Sequence, residues 1–300
     1  MLATMTSFTQ TCPQCGSPWE LQAELLGKPA SDFDSCAFRC VSCGIGFSNA
    51  KSPSARVRIT AEPQLNVPPQ ASLGLADTLA GAINVHNRSV KCQKFCSERS
   101  EDAVTWTVVA GLREVAGLGA LAAEPQVERP QALLLWGHPV EGETAEQVRN
   151  GLVALSDDLG EKLDRRSEPD VIVLWPSLLV FVEAKHGSAN DRQPDYAGYS
   201  TYLPAPGRFS VDDHAVRAEG SYQLTRNWVM GSTLAEALGV PFGLVNLGPA
   251  GIAQHAADFA ALLHQRPGRR FEHRTWQQVL DSAPVPGWLA DYAHERGLRT

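Results

Sequence analysis

Two spacings of apolar residues alternate along most of this chain. Val104, Val108, Leu112 and Val115 recur at helical spacing, which predicts a helix from about Glu101 to Leu118. Ser100 is placed to cap it, with Glu101 and Asp102 in the first turn. Further helices are expected over Leu73–Asn84, Thr144–Leu163, Ser221–Leu238 and Ile252–His264. Short uninterrupted apolar runs read as strands instead: Ala132–Trp136, Val171–Trp175, Leu178–Lys185 and Phe242–Leu247. Residues 61–72, AEPQLNVPPQAS, are rich in proline and lack periodicity, which predicts a linker. Residues 186–218, with Gly, Pro and three Tyr, read as a long loop. There is no internal repeat. The pattern is mixed α/β.

Two of the strand runs stand close enough to form a hairpin. A two-residue turn at Pro176-Ser177 makes Trp175 face Leu178 and places Asp170 opposite Glu183 on the same face. Directly opposed residues have Cβ atoms about 5 Å apart, and like charges at that distance are destabilising. A cation between them removes the conflict, and hard divalent cations take carboxylate oxygens. Lys185, two residues beyond Glu183, projects from the same face of the strand.

Pro169-Asp170, twelve intervening residues and then Glu183-Ala184-Lys185 resemble the motif of the PD-(D/E)XK, restriction-endonuclease-like nucleases. Ser100-Glu101-Asp102-Ala103 opening a helix is similar to that fold's first core helix, and Tyr222-Gln223 to polar positions on a later helix. The resemblance covers most of residues 85–280. It implies a central mixed sheet flanked by helices and a Mg²⁺- or Mn²⁺-dependent phosphodiesterase. Asp170, Glu183 and the Ala184 carbonyl would hold the metal, and Glu101 would join them. Lys185 would orient or activate water and stabilise charge on the phosphate, with Gln223 assisting. Glu101 also reads as an acid favoured by the helix dipole. Glu168 and Asp195 are further acids within reach, and Gln223 and Arg226 share a helix face. DNA is the expected substrate, in defence or repair, with RNA and a substrate-delivering partner protein as alternatives. The rival reading is a non-catalytic adaptor.

All seven cysteines lie in the first third of the chain. Cys12-Pro-Gln-Cys15 and Cys40-Val-Ser-Cys43, separated by 24 residues, read as the two knuckles of a four-sulfur zinc ribbon. Gly16 and Gly44 follow the knuckles directly, where tight turns need a permissive backbone. Lys51, Arg56 and Arg58 give this module a basic contact surface. Cys36, Cys92 and Cys96 are one thiol short of a four-ligand iron–sulfur site and read as buried or free thiols, with a shared assignment of Cys36 to the later pair left open. The expected organisation is a zinc ribbon over 1–60, a linker and short helix over 61–84, and a nuclease domain over 85–300.

Charge and composition refine this picture. The net charge is −7 over 300 residues, which argues against a wholly basic nucleic-acid-binding surface. The basic residues Arg88, Lys91, Lys94 and Arg99 nonetheless cluster, and His86-Asn87-Arg88 reads as part of a basic loop. No apolar run approaches the ~20 residues of a membrane span. Met1–Gln10 lacks a secretory pattern, so a cytoplasmic location is expected. There is no H-E-x-x-H, G-x-S-x-G or P-loop signature. Trp228 and Trp276 sit at helical positions and are expected in the core.

Overall fold

The computed structural model describes residues 11–50, 52–122, 128–188 and 192–299. Met1–Gln10 and Lys51, which entered the sequence reading, lie outside the described residues. The N-terminal segment forms a four-stranded antiparallel sheet of β1 (Glu20–Leu21), β2 (Phe38–Cys40), β3 (Ile45–Phe47) and β4 (Arg58–Thr60), in that order. Three helices follow: α1 (Leu75–Gly81), α2 (Arg88–Phe95) and α3 (Glu101–Glu114). Then come β5 (Ala132–Leu135), β6 (His138–Glu141), α4 (Ala145–Asp158), β7 (Val171–Trp175) and β8 (Leu178–Ala184). The chain continues through α5 (Tyr199–Tyr202), α6 (Asp213–Glu219), α7 (Tyr222–Leu238), β9 (Phe242–Gly248) and α8 (Ala253–Leu262). It ends with β10 (Arg269–Thr275), α9 (Trp276–Asp281) and α10 (Gly287–Glu295).

Six strands form one mixed sheet in the order β10-β9-β8-β7-β5-β6. β7 and β8 are antiparallel, whereas β8, β9 and β10 run parallel. The β7–β8 register pairs Trp175 with Leu178 and Val171 with Val182, as a two-residue turn requires. β8 and β9 are joined by a crossover containing α7, which a parallel pair demands. Both faces of the central strands are covered. Val171, Val173, Trp175, Val180 and Val182 face the layer of α3, α9 and α10. Their alternates Ile172, Leu174, Leu179 and Phe181 face α4, α7 and α8. Strands buried on both faces read as continuous apolar runs, which is why these were legible. Each such side chain contributes roughly 1.5–3 kcal/mol by leaving water. Trp228 and Trp276 are core residues, as expected.

Several boundaries differ from the sequence reading. Helix α3 stops at Glu114, because Ala116 adopts a left-handed φ of 56° and the Gly117 N–H turns back to the Leu112 carbonyl. α4 stops at Asp158, ahead of Gly160 with its φ of 73°. α1 is shorter than 73–84, bounded by left-handed Gly74. The segment 61–72 is not a free linker. It forms two 3-10 turns, buries Asn66, Val67 and Ala71, and gives the Ala71 carbonyl to the Trp106 indole N–H at 2.6 Å. The stretch after His86 is helix α2, not a basic loop. The 186–218 segment contains α5 and α6. β6, β10, α9 and α10 were not foreseen. β10 reads RRFEHRT, an edge strand whose polar residues mask the pattern.

The N-terminal module docks on the larger domain. Ile59 bridges Ser97, and the Thr60 N–H donates to the Cys96 carbonyl at 2.9 Å. Cys36, Ile59 and Cys96 form a small apolar cluster across the join. No described helix is long and apolar enough to cross a membrane.

Candidate functional site

The hairpin delivers the expected acids to one end of the sheet. Asp170 ends the approach to β7, and one of its oxygens accepts the Ala184 N–H at 2.8 Å. Glu183 is 2% exposed. Lys185 donates to one Glu183 oxygen at 2.8 Å, and Asn227 of α7 donates to the other at 2.7 Å. Arg226 adds a guanidinium 4.0 Å from the same carboxylate. The strand alternation explains this, since Glu183 follows Leu179 and Phe181 on the face that α7 covers.

Glu101 reaches the site from the opposite layer. It starts α3, capped by Ser100, whose hydroxyl accepts the Ala103 N–H. One Glu101 oxygen lies 3.4 Å from the Lys185 ammonium. The other accepts the His186 N–H at 2.8 Å and the Ser188 hydroxyl at 2.7 Å. Lys185 is itself pinned: its N–H donates to the Leu247 carbonyl at 2.7 Å, and its carbonyl accepts the Trp276 indole at 2.8 Å. An ammonium therefore sits between carboxylates from both layers.

Electrostatics follow from this crowding. Burial and then the neighbouring Glu183 charge push the Asp170 carboxyl well up, with Lys185 opposing. Burial also pushes Glu183 up, but Lys185, Arg226 and the donated hydrogen bonds outweigh it, so its carboxyl lies below the usual range. Burial lowers Lys185, yet Glu183, Asp170 and Glu101 more than restore it and hold it charged. Beside these groups a second buried cation, Lys91, spans Glu168 at 2.9 Å and Asp102 at 3.3 Å, over the ring of Trp136.

Gln223 is one turn before Asn227 on the same face of α7, and it is Asn227 and Arg226 that contact Glu183. Asp195 is an exposed loop residue with φ 55°, tied through its N–H to the Arg217 carbonyl. Glu168 is a clamp on Lys91 and the Asn84 N–H. Lys91 belongs to this interior network, not to a basic surface, and Arg56 lies over the Phe38 ring. Asn227, Lys91 and the 186–188 turn were missed. Only Asn227 had a signal, its position four residues beyond Gln223.

Four cysteines form the other polar centre. Cys12 and Cys43 sulfurs are 3.5 Å apart, as are Cys15 and Cys40. All four sulfurs lie within 4.8 Å of one another, the one such group of metal-capable side chains among the described residues. Gly16 and Gly44 have left-handed φ values of 72° and 70°, and their N–H groups close the knuckles on the Cys12 and Cys40 carbonyls. A Cβ at Gly44 would meet Leu65 at 2.7 Å. Hydrogen bonds from Ser17 lower the Cys15 thiol to about 6, while burial and the neighbouring cysteines push Cys43 up to about 12. These groups could hold a metal ion. Cys36, Cys92 and Cys96 stand apart as free thiols, Cys36 and Cys96 buried and bonded to the Asp32 and Cys92 carbonyls.

A cleft of about 830 Å³ opens between this module and the hairpin site, with Glu101, Asp102 and His186–Ser188 on its floor. No protein-family model, no curated protein and no solved structure matches this chain.

Proposed function

We propose that this chain is a Mg²⁺-dependent nuclease of restriction-endonuclease-like architecture that hydrolyses DNA, with a zinc ribbon at its N-terminus. The supporting observation is the convergence of Asp170, Glu183 and a charged Lys185 at one end of the β7–β8 hairpin, completed by Glu101.

Carboxylate and carbonyl oxygens are the donors that a hard cation takes. Asp170 keeps one oxygen that accepts no hydrogen bond from the described residues, and its carboxyl is pushed up beside Glu183. A divalent ion relieves that repulsion, and Asp170, Glu183 and the Ala184 carbonyl would hold it. Bound there, the metal would polarise the phosphate and lower the pKa of water. Lys185, held as an ammonium by Glu183, Asp170 and Glu101, would stabilise charge on the phosphoryl oxygens and orient the attacking water. Asn227 and Arg226 hold the Glu183 carboxylate in one orientation. Glu101 fixes the ammonium and the 186–188 turn.

One observation favours the adaptor reading: both Glu183 oxygens already have donors, so the network closes on itself. The test is cleavage of plasmid, linear duplex and single-stranded DNA, and of RNA, with and without Mg²⁺ or Mn²⁺. Metal-dependent cutting that is lost in Asp170→Ala and Lys185→Ala supports the nuclease. Cutting that persists in both variants removes this site from the reaction, and no cutting of DNA or RNA favours the adaptor.

A further inference from the structure

The cleft beside the hairpin site is built from two parts of the chain. Ser31 and Ser48 of the cysteine module line one side. Lys94 of α2 and Arg99, just before α3, line the other. Glu101 and Ser188 connect its floor to Lys185.

The charges in this cleft are not equivalent. Asp102 shares Lys91 with Glu168, and Glu101 shares Lys185 with Glu183 and accepts two further hydrogen bonds. Lys94 and Arg99 are exposed and have no ion pair among the described residues. An acidic chain of net charge −7 thus presents two uncompensated cations where the candidate site opens. The remaining polar lining includes serine hydroxyls and Gln93, side chains of the kind that contact phosphate and sugar, beside His186.

We propose that the cysteine module is one wall of a DNA-binding cleft, in which Lys94 and Arg99 take backbone phosphates and lead the strand to the hairpin site. This rests on the nuclease reading for its chemistry, but DNA binding is measured independently of cutting. Recognition is through the phosphodiester backbone and is independent of sequence. The wall also gives the four cysteines a role beyond local folding. The Ile59–Ser97 bridge and the Cys36–Ile59–Cys96 cluster place the module against α2, so loss of its metal removes one side of the cleft.

The experiment uses the full zinc-loaded chain and a fluorescein-labelled DNA duplex. Anisotropy is read over a salt series with Ca²⁺ in place of Mg²⁺. Lys94→Ala/Arg99→Ala should weaken binding by on the order of 10-fold and reduce the slope of log K against log salt by roughly 1.8, for two lost phosphate contacts. Zinc content and far-UV circular dichroism should match wild type, because both side chains are exposed. Cys12→Ser should also lose binding, although it leaves both cations in the sequence. An unchanged salt slope in the double variant overturns the proposal, whether or not the wild type cuts DNA. Full binding by a zinc-free Cys12→Ser chain overturns the wall assignment. Weakening confined to a matched RNA duplex overturns the choice of DNA. Wild type that binds with the expected slopes but never cuts supports the cleft and removes the nuclease.

Discussion

The two polar centres of this molecule solve the same problem differently. The hairpin site gathers the carboxylates of Asp170, Glu183 and Glu101 around one ammonium, Lys185, and leaves Asp170 crowded against Glu183. The cysteine module gathers four sulfurs within 4.8 Å and supplies no cation. Its own buried apolar residues are few, chiefly Ala37, Ile45 and Ile59, with Cys36 packed across the join on Cys96. A module of this kind depends on metal for folding energy. The comparison teaches two ways of holding polar groups together: four sulfurs placed where a metal ion could bind, and buried carboxylates held around an ammonium.

Removing zinc is therefore the largest perturbation expected. The purified chain should carry about one zinc, and Cys12→Ser or strong chelation should abolish it. Limited proteolysis should then cut within residues 11–60 while the six-stranded sheet stays protected. Protection of both regions after zinc loss would break the comparison.

Lys185→Ala tests the other half. It leaves Glu183 buried without its closest ammonium, and breaking a buried pair costs about 3–5 kcal/mol. Cleavage should vanish, and the urea midpoint should fall. Removing Mg²⁺ from the wild type should lower that midpoint as well, because the Asp170–Glu183 repulsion is then unrelieved.

Asp170→Asn should do the reverse for stability. The amide oxygen still accepts the Ala184 N–H, and one of two repelling charges is gone. Stability at neutral pH should rise by roughly 0.5–2 kcal/mol while cutting is lost, the usual opposition between activity and stability at strained sites.

The pH profile is the finest test. Asp170 is raised, so the folded chain holds its proton more tightly than the unfolded chain. Its stabilising contribution is present at low pH and is lost as pH rises through the folded value. Asp170→Asn should remove that slope. Activity requires the unprotonated group, so its acid limb should lie above the ordinary carboxylate range and move to lower pH as Mg²⁺ increases. An acid limb indifferent to Mg²⁺ would separate Asp170 from metal binding.

The residues differ in how far they could be read from the chain. The Cys12–Cys15 and Cys40–Cys43 pairs were legible because knuckle spacing is local. The β7–β8 hairpin was legible because a two-residue turn sets the register of both strands. Asn227 was not read from the sequence, since helix periodicity gives the face that Gln223 and Arg226 share but not which turn meets Glu183. Lys91 was unreadable: in sequence it belongs to a basic run, and only the packing of α2 against Trp136 and Glu168 turns it inward. Residues 61–72 looked like a linker because 3-10 turns built on prolines carry no period, yet they bury Val67 and Ala71.

By itself, then, the sequence determined what local rules govern: the apolar strands, the capped start of α3, the two cysteine knuckles, and the placing of Asp170 against Glu183. The tertiary structure decided everything that depends on surfaces distant in the chain. It brought Glu101 across from the opposite layer, set Asn227 against Glu183, closed Lys91 into the interior, and placed the cysteine module beside the hairpin to form a cleft. The physical reason is range. Turns, caps and strand alternation act over a few residues, whereas the burial of a charge is settled only when two packed layers enclose it.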